Sequence, residues 1–424
     1  MNKKNFLVDK FQIVLPIMPI LLLTGPFLPD FVIVLTSIFF IIFFKNEFVQ
    51  TIKNEKIFIF FILFWLLMVL SSLLSDDILY SLKSSFFYIR FILFSAAIFY
   101  LVSLNPLILE KFLKYLKIAI YILCFSSVIE LLFGINIFLS AKPSYRITGT
   151  FGDEQIVGSF IIKMLPIFAC IHLYLKKKFN LETFFFLTIS FLIVILSNER
   201  SAVFYLICFS IYFILIYPNL GLKKKLGFLF ITIFAFLVII LSVEDTKSRL
   251  INLTLSQAGL FLFESQNKGE LRGYKKDANR FYFQSSTHEI HIITAINMFK
   301  DNPIIGVGPK MFRKKCDDPD FYISSDSCTT HPHNILAQIL AETGIIGLIF
   351  FVTGIFYLIK NFLSLVKSYH KKDKYLIASK LCLIFLFSKF LFFLIPSGNF
   401  LNNFLAAQMF LPLGIYIFIN KKIT

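Results

Sequence analysis

Long apolar segments separated by short polar ones run through almost the whole chain. Crossing a bilayer as a helix takes roughly 17 to 25 mostly apolar residues, and windows of that length predict about twelve spans. Their approximate limits are 6–23, 27–44, 57–74, 86–104, 116–133, 156–175, 181–197, 201–217, 226–243, 334–359, 377–395 and 399–419. The pattern therefore predicts an all-α integral membrane protein.

One connection is far longer than the others and separates the ninth span from the tenth. It covers residues 244–333 and contains an amphipathic segment around 287–300, which predicts a partly helical loop outside the bilayer. The chain thus divides into transmembrane helices 1–9 (residues 1–243), the large loop (244–333) and transmembrane helices 10–12 (334–424).

The lysines predict the orientation of these spans. Placing the N-terminus inside puts the basic clusters, such as Lys176–Lys178 and Lys223–Lys225, in cytoplasmic loops, as the positive-inside rule requires. The short outer loops then hold only Lys83, Lys142 and Arg146. We expect a multi-pass protein of the bacterial inner (cytoplasmic) membrane, with both termini cytoplasmic and the large loop periplasmic.

Composition supports this class. Of 424 residues, 57% are hydrophobic and only 16% are charged. A net charge of +17 could indicate a protein that binds nucleic acid. However, the lysines lie in short clusters between spans and no nucleic-acid motif occurs, so no such partner is expected.

The first 23 residues resemble a signal peptide, but Pro16 and Pro19 interrupt the apolar run and no small-residue cleavage site follows. We therefore expect a retained helix.

Cysteine positions agree with the predicted topology. Four cysteines lie within spans, whereas Cys316 and Cys328 lie close together in the large loop. In an oxidising periplasm these two would pair, which for so short a loop stabilises the fold by about 3 kcal/mol. Two free thiols are the alternative, because spacing alone does not establish a bond.

The segment T-T-H-P-H-N-I-L-A-Q-I-L-A-E-T-G-I-I-G (329–347) joins the polar loop to an apolar helix. Pro332 suits the first helical turn, which would place His331 and His333 at the helix mouth, where anions bind and an imidazole stays neutral. A neutral imidazole can act as a general base, so both histidines are catalytic candidates.

The same helix carries polar groups into apolar surroundings. Helical spacing places His331, Asn334, Gln338 and Glu342 on one side, and His333 on the other. Polar and ionisable groups inside a membrane usually have a function, so we interpret Asn334, Gln338 and Glu342 as supporting residues. A capped helix with a polar packing stripe is the alternative.

Four basic residues lie within about two turns of the outer ends of their spans, namely Arg90, Lys163, Arg200 and Lys389. Buried cations in a bilayer normally face the bundle interior, so these four predict a pocket for a diphosphate. Snorkelling or structural ion pairing is the alternative. This alternative explains Arg200 least well. Arg200 lies in the break L-S-N-E-R-S-A between two spans, and its planar guanidinium suits phosphate.

Further candidates lie in the large loop. The stretch N-P-I-I-G-V-G-P-K-M-F (302–312) predicts a glycine turn, and Arg272, Arg280 and Arg313 could reach a phosphate or remain solvated charges. His288 and His291 are three residues apart, so on a helix they could bind one metal ion together. Against a metal site, His331 and His333 are separated by a proline, and no acidic residue stands at a ligand-like spacing. Nucleotide-binding and nucleophile-elbow motifs do not occur. We therefore expect neither metal nor cofactor.

Taken together, these residues resemble the O-antigen ligase and polymerase family of bacterial envelope glycosyltransferases. The signature of histidine, a small polar residue, nine residues and G-x-x-G is met by His333-Asn334, 335–343 and Gly344 to Gly347. The glycine turn, N-E-R-S-A around Arg200, and Y-R-I-T-G-T-F (145–151), which contains Arg146, also resemble family motifs. The likeness extends from about Tyr145 to Gly347.

The resemblance implies metal-independent, inverting transfer of a glycan from undecaprenyl diphosphate to an acceptor hydroxyl. His333 would be the base, with His331 supporting or replacing it, and arginines would hold the diphosphate. The family often has arginine where this chain has His288, so the second phosphate arginine is Arg280 as first choice or Arg313. If the acceptor is lipid A–core, the protein is a ligase, and if it is another lipid-linked glycan, the protein is a polymerase. The histidine motif favours the ligase. A transporter or lipid flippase is the alternative from another class.

Overall fold

The computed structural model describes residues 3–139, 146–219, 221–257 and 285–423, and within these ranges the regular structure is helical, without a strand. The predicted all-α class is confirmed for this part of the chain. The helices are α1 (Lys3–Val14), α2 (Met18–Leu21), α3 (Phe27–Phe43), α4 (Lys45–Asn54), α5 (Lys56–Leu73), α6 (Ile78–Ser85), α7 (Ile89–Leu104), α8 (Ile108–Phe133), α9 (Val157–Lys176), α10 (Leu181–Leu196), α11 (Arg200–Ile216), α12 (Leu222–Ser242), α13 (Glu244–Lys247), α14 (Leu253–Gln257), α15 (Ser286–Asp301), α16 (Phe312–Lys315), α17 (Ile335–Ser368), α18 (Lys374–Leu391) and α19 (Asn403–Ile423).

Among the described residues, seven helical segments are long and apolar enough to cross a bilayer, and up to eight if the bent pair α3–α4 forms one span. The sequence expectation of twelve is higher because several predicted spans form shorter or more polar helices. The helices α10 and α11 have 16 and 17 residues, α18 contains three lysines, and α3 and α4 meet at an angle of 102°. The first predicted span is divided into short helical pieces around Pro16 and Pro19.

Helix α9 lies at the centre of the packing. It contacts α8, α10, α11 and α18, and most of its side chains are buried. At the other extreme, α12 exposes large apolar side chains such as Phe230, Phe234 and Leu241 along its length. An exposed apolar helix is expected where lipid replaces water as the solvent, so this distribution agrees with a multi-pass membrane protein.

Helix α17 is broken at Gly344, whose φ of 64° and ψ of −161° are not helical. The glycine turn 302–312 fills the break: the N–H of Val307 donates to the carbonyl of Ala341 at 2.8 Å, and the N–H of Ile345 donates to the carbonyl of Pro303 at 2.8 Å. A Cβ on Gly344 would lie 2.4 Å from the Ile304 backbone, and one on Gly306 would lie 2.4 Å from the Thr343 nitrogen. Both positions therefore require glycine.

The expected place of Pro332 in the first helical turn is wrong. Helix α17 begins at Ile335, and Asn334 is its N-cap residue, with a side-chain oxygen that accepts from the N–H groups of Leu336 (3.0 Å) and Ala337 (3.1 Å). Asparagine is among the best N-cap residues, and this cap determines where the helix starts. His331 and His333 thus lie in the segment before the helix, where the backbone is free to turn.

Candidate functional site

A cavity of about 1420 Å³ opens beside the start of α17. Its polar end is formed by side chains from the large loop, α9, α18 and the connection 392–402, and includes both histidines of the His-Pro-His segment. Its remaining walls are mainly aromatic, from α5, α17 and α19, and include Phe60, Phe64, Phe350 and Phe351. The space therefore joins a polar chamber to an apolar channel between helices.

His333 faces this cavity from an unusual backbone conformation. Its φ is 52°, a left-handed value that non-glycine residues rarely adopt. The conformation is held by a hydrogen bond from the Ser397 N–H to the His333 carbonyl at 2.8 Å. Among the described residues, the imidazole nitrogens make one hydrogen-bond contact, a long one of 3.4 Å from Nε2 to the Thr329 hydroxyl. A half-buried ring with little engagement of its nitrogens can accept a proton from a bound molecule.

His331 lies next to His333, with ring centroids 4.1 Å apart, but both of its nitrogens are engaged. Its Nε2 lies 3.1 Å from the Ser397 carbonyl, which can only accept, so Nε2 carries the hydrogen. Its Nδ1 then accepts from the Thr330 hydroxyl at 3.0 Å. A ring fixed in this way orients its neighbour and has no free nitrogen for a substrate proton.

Two further imidazoles complete a cluster that sequence reasoning considered only for metal binding. The rings of His288 and His291, both on α15, lie 5.4 Å and 5.5 Å from that of His333. The Nδ1 of His288 lies 2.5 Å from the Ser285 hydroxyl. Their spacing of three residues was the visible signal, but it could not show that the helix packs against the His-Pro-His segment.

Burial keeps the four imidazoles uncharged. Desolvation, with a smaller contribution from neighbouring imidazoles, lowers the pKa of His288 and of His291 to about 4 and that of His331 to about 3. Desolvation also lowers the pKa of His333 below its ordinary value of 6.5. At neutral pH all four rings are therefore neutral, which is the state that a general base requires.

A group of charged side chains lies around Glu199, the residue before Arg200. Arg146, Lys163 and Lys389 line the cavity together with this carboxylate. Arg146 lies 3.5 Å from Glu199, and Glu199 accepts from the N–H groups of Gly158 (2.6 Å) and Ser159 (3.1 Å) at the start of α9. Basic side chains therefore predominate in these four residues, which we call the Glu199 group. Sequence analysis missed Glu199, although a carboxylate in an apolar region is itself a signal.

The segment that carries Arg146 is fixed by a second buried carboxylate. Glu130, at the end of α8, accepts from the N–H groups of Thr148 (2.9 Å) and Gly149 (2.7 Å) and from the Thr148 hydroxyl. These three donors hold the turn 148–151 against α8. Glu130 was also missed by sequence analysis, and its role is to place the turn beside the cavity.

The other predicted phosphate residues have different surroundings. Arg200 is half-buried and close enough to Arg146 and to Arg249, a further arginine that sequence reasoning missed, for their charges to interact. It does not line the cavity. Arg90 forms a two-point ion pair with Asp30, with distances of 2.7 Å and 3.1 Å, so the structure does not bring it together with Lys163 and Lys389. Arg280 lies outside the described residues.

Arg313 and Lys310, the latter not selected from the sequence, line the cavity on the side of the glycine turn. The Nη2 of Arg313 donates to the Thr330 carbonyl at 2.9 Å, which links the end of the turn to the His-Pro-His segment. Desolvation, reinforced by the charge of Arg313, lowers the pKa of Lys310. We refer to these two residues as the Lys310–Arg313 pair.

The predicted supporting residues of α17 form a buried polar network. Gln338 donates from Nε2 to Glu342 at 3.0 Å and to Asn399 at 2.8 Å, and the Asn334 amide donates to the Phe393 carbonyl at 2.8 Å. The Glu342 carboxylate faces the backbone N–H groups of Lys310 and Phe312. These contacts hold three segments together, namely the start of α17, the glycine turn and the connection after α18.

A disulfide joins Cys316 to Cys328, with Cα atoms 5.0 Å apart. It closes the part of the large loop that lies between Arg313 and the His-Pro-His segment. The one group of potential metal ligands found among the described residues consists of these two cysteines and Asp317. Because both thiols are used in the disulfide, that group does not fit a metal ion.

Comparison with known proteins adds the family. A search of curated proteins gives no match to this chain. Residues 184–352 match the family model described as O-Antigen ligase. The matched region includes Glu199, Arg200, the glycine turn, all four clustered histidines and both glycines of the G-x-x-G motif. This match confirms, over residues 184–352, the resemblance to the O-antigen ligase and polymerase family.

Proposed function

We propose that this protein transfers a glycan from undecaprenyl diphosphate to an acceptor sugar hydroxyl, as an inverting glycosyltransferase of the ligase type with lipid A–core as acceptor. One observation carries the proposal: a neutral, weakly engaged imidazole at His333 shares a cavity with the basic side chains of the Glu199 group. A base and an anion site in one chamber are what transfer from a diphosphate donor needs.

In this mechanism His333 accepts the proton of the acceptor hydroxyl. The hydroxyl oxygen bonds to the anomeric carbon from the face opposite the leaving group, so the anomeric configuration inverts. The bond between that carbon and the diphosphate oxygen breaks, and its electron pair leaves with the diphosphate. The donor is already activated, so the step requires no nucleotide.

The Glu199 group would hold the leaving diphosphate. Its basic side chains would attract the negatively charged diphosphate, and they would stabilise the negative charge that develops on the leaving oxygen. Arg200 would contribute from behind Arg146. The aromatic walls of the cavity give the attached prenyl chain an apolar path between helices.

The orientation belongs to the same proposal. The His-Pro-His segment would face the periplasm of a bacterial inner membrane, with both termini in the cytoplasm and residues 244–333 as the large periplasmic loop. This arrangement supports the function because lipid A–core and lipid-linked glycans would both reach the cavity from the outer leaflet.

The test is product formation by the purified protein in vesicles. The donor is an undecaprenyl diphosphate oligosaccharide, and the acceptor is either lipid A–core or a second lipid-linked glycan, with products identified by mass. Glycan joined to lipid A–core supports the ligase. Elongation of the lipid-linked glycan alone would overturn the ligase assignment in favour of a polymerase. Movement of donor across the vesicle membrane with no new linkage would overturn transfer chemistry in favour of a transporter.

A further inference from the structure

The glycine turn continues into four basic residues whose surroundings differ. Lys315 forms an ion pair with Asp76 at 2.5 Å, and Lys314 lies 3.8 Å from Asp77. The Lys310 ammonium, by contrast, makes no ion pair or side-chain hydrogen bond with any residue that the structure describes, although the side chain is half-buried. Two of the cations are thus paired with aspartates, whereas Lys310 lines the cavity without an ion pair among the described residues.

The guanidinium of Arg313 also has a hydrogen-bond donor without a partner among the described residues. Its Nη2 donates to the Thr330 carbonyl, but its buried Nε has no partner in the described part of the chain. A buried donor of a charged group is costly to leave unpaired, and such groups in a cavity indicate a missing acceptor. The Lys310–Arg313 pair therefore offers two charged groups with unused hydrogen-bond donors at one wall of the chamber.

The backbone that carries the pair is rigid. The Pro309 carbonyl accepts from the Ser81 hydroxyl at 2.9 Å, and the Gly308 N–H donates to the Glu342 carbonyl at 3.2 Å. Lys310 itself has a left-handed φ of 61°, a conformation that persists only when the surroundings enforce it. The two cations are held in place before any ligand arrives, which lowers the cost of binding one.

The pair and the Glu199 group come from different segments of the cavity wall: the pair from the glycine turn, and Lys163 and Lys389 of the Glu199 group from α9 and α18. The charges that act on Lys310 are those of Arg313, Glu342 and Arg90, and Arg90 is already neutralised by Asp30. Arg313 acts on His331, whereas Arg200, from the Glu199 side, acts on His288. The His333 ring lies within 5.5 Å of both imidazoles, so the base is close to a histidine that interacts with each of the two cationic groups.

A transfer reaction brings two substrates to the base from opposite sides. If the Glu199 group holds the diphosphate of the donor, the other wall faces the acceptor. We propose that the Lys310–Arg313 pair is an anion subsite that binds a phosphate or diphosphate group of the acceptor and so positions its hydroxyl next to His333. This inference rests on the proposed transfer function and adds to it the substrate class: the acceptor carries phosphate.

The experiment compares three acceptors with the same sugar sequence: a neutral glycan, the glycan with a phosphate monoester on a sugar, and the glycan on polyprenyl diphosphate. Transfer is measured for wild type, Lys310→Gln, Arg313→Gln and the charge-preserving Lys310→Arg. Lys314→Gln is the matched control, because it removes a nearby lysine whose charge is at the surface.

We expect both glutamine variants to lower kcat/KM for a phosphate-bearing acceptor by about tenfold to a hundredfold, the range for loss of one charge-assisted hydrogen bond. The donor KM should stay unchanged, the neutral acceptor should be affected little, and Lys310→Arg should restore most of the rate. The acceptor that responds, sugar phosphate or lipid diphosphate, identifies the source of the anion.

Three results would overturn the subsite: equal losses with neutral and phosphate-bearing acceptors, a raised donor KM in place of a raised acceptor KM, or equal effects of Lys310→Gln and Lys314→Gln. A wild-type protein that transfers glycan neither to these acceptors nor to lipid A–core would instead overturn the proposed function, so the two failures are distinguishable.

Discussion

His333 has its unusual conformation because residues on both sides constrain it. Asn334 must be extended to cap α17, and the Ser397 N–H holds the His333 carbonyl. A left-handed φ costs an ordinary residue roughly 1–2 kcal/mol, and histidine is among the residues that tolerate it best. The strain turns the ring towards the cavity and away from the buried polar network of α17.

The pH dependence of transfer follows from the state of this ring. Burial lowers the pKa of His333 below 6.5, and a lowered pKa keeps a base unprotonated to more acidic pH. We therefore expect kcat/KM to be level around neutral pH and to fall only below pH 6.5. The fluorescence of Trp65, the single tryptophan, reports whether the fold persists over the same range. An acid limb centred at pH 7 or above, with the fold intact, would contradict a buried neutral base.

Several residues that the sequence singled out line the cavity, but their hydrogen-bond and ion-pair partners could not be predicted from the sequence. Sequence reasoning selected His331, His333 and Arg313 from a short motif region, and the structure places all three at the cavity. It did not select Lys310 or Glu199, because whether a lone charge is paired depends on distant residues. Lys314 lies near Asp77 and the Tyr80 ring, whereas Lys310 lines the cavity, and no local sequence pattern shows this difference.

At the scale of elements, the G-x-x-G motif is explained by the break in α17. Helix ends leave N–H and carbonyl groups unpaired, and the glycine turn supplies partners for those around Gly344. Ser71 adds hydrogen bonds to the carbonyls of Ile305 and Glu342, both at 2.9 Å. The turn and the helix break therefore form one unit, which fixes both Lys310 and the start of α17.

Gly306→Ala tests this unit. The new Cβ would lie 2.4 Å from the Thr343 nitrogen at a φ of 77°, so we expect a loss of more than about 1 kcal/mol of stability together with reduced transfer. Gly227→Ala in α12 is the control, because nothing lies within 4 Å of its Cβ and alanine favours a helix. Thermal unfolding in detergent measures both. Equal stability of Gly306→Ala and wild type would show that the turn is not interlocked with α17.

At the scale of the molecule, the apolar pattern predicted where helices form, and each predicted span overlaps a helix of the structure. The apolar pattern predicted less well how many of these helices are long enough to cross a bilayer. Bends such as the one between α3 and α4, and short helices such as α10, depend on packing against neighbours and leave little trace in local hydrophobicity.

Orientation is the whole-molecule prediction. Cysteines introduced at Lys300, at the end of α15, and at Lys371, beyond the far end of α17, should lie on opposite sides of the membrane. In intact cells with a permeable outer membrane, a membrane-impermeant maleimide should label Lys300→Cys and not Lys371→Cys. Both positions are exposed, so detergent should make both reactive. Labelling of Lys371→Cys alone would reverse the topology and place the cavity mouth in the cytoplasm.

The most direct test of the whole account is the single-turnover rate of glycan transfer by purified His333→Ala. General-base help contributes about 10²–10⁴ in rate, so we predict a loss of that size while donor binding and thermal stability stay near wild type. His370→Ala, which removes an exposed histidine far along the chain, should transfer at the wild-type rate. A His333→Ala protein that retains transfer within a few-fold of wild type would contradict the assignment of the base and the mechanism built on it.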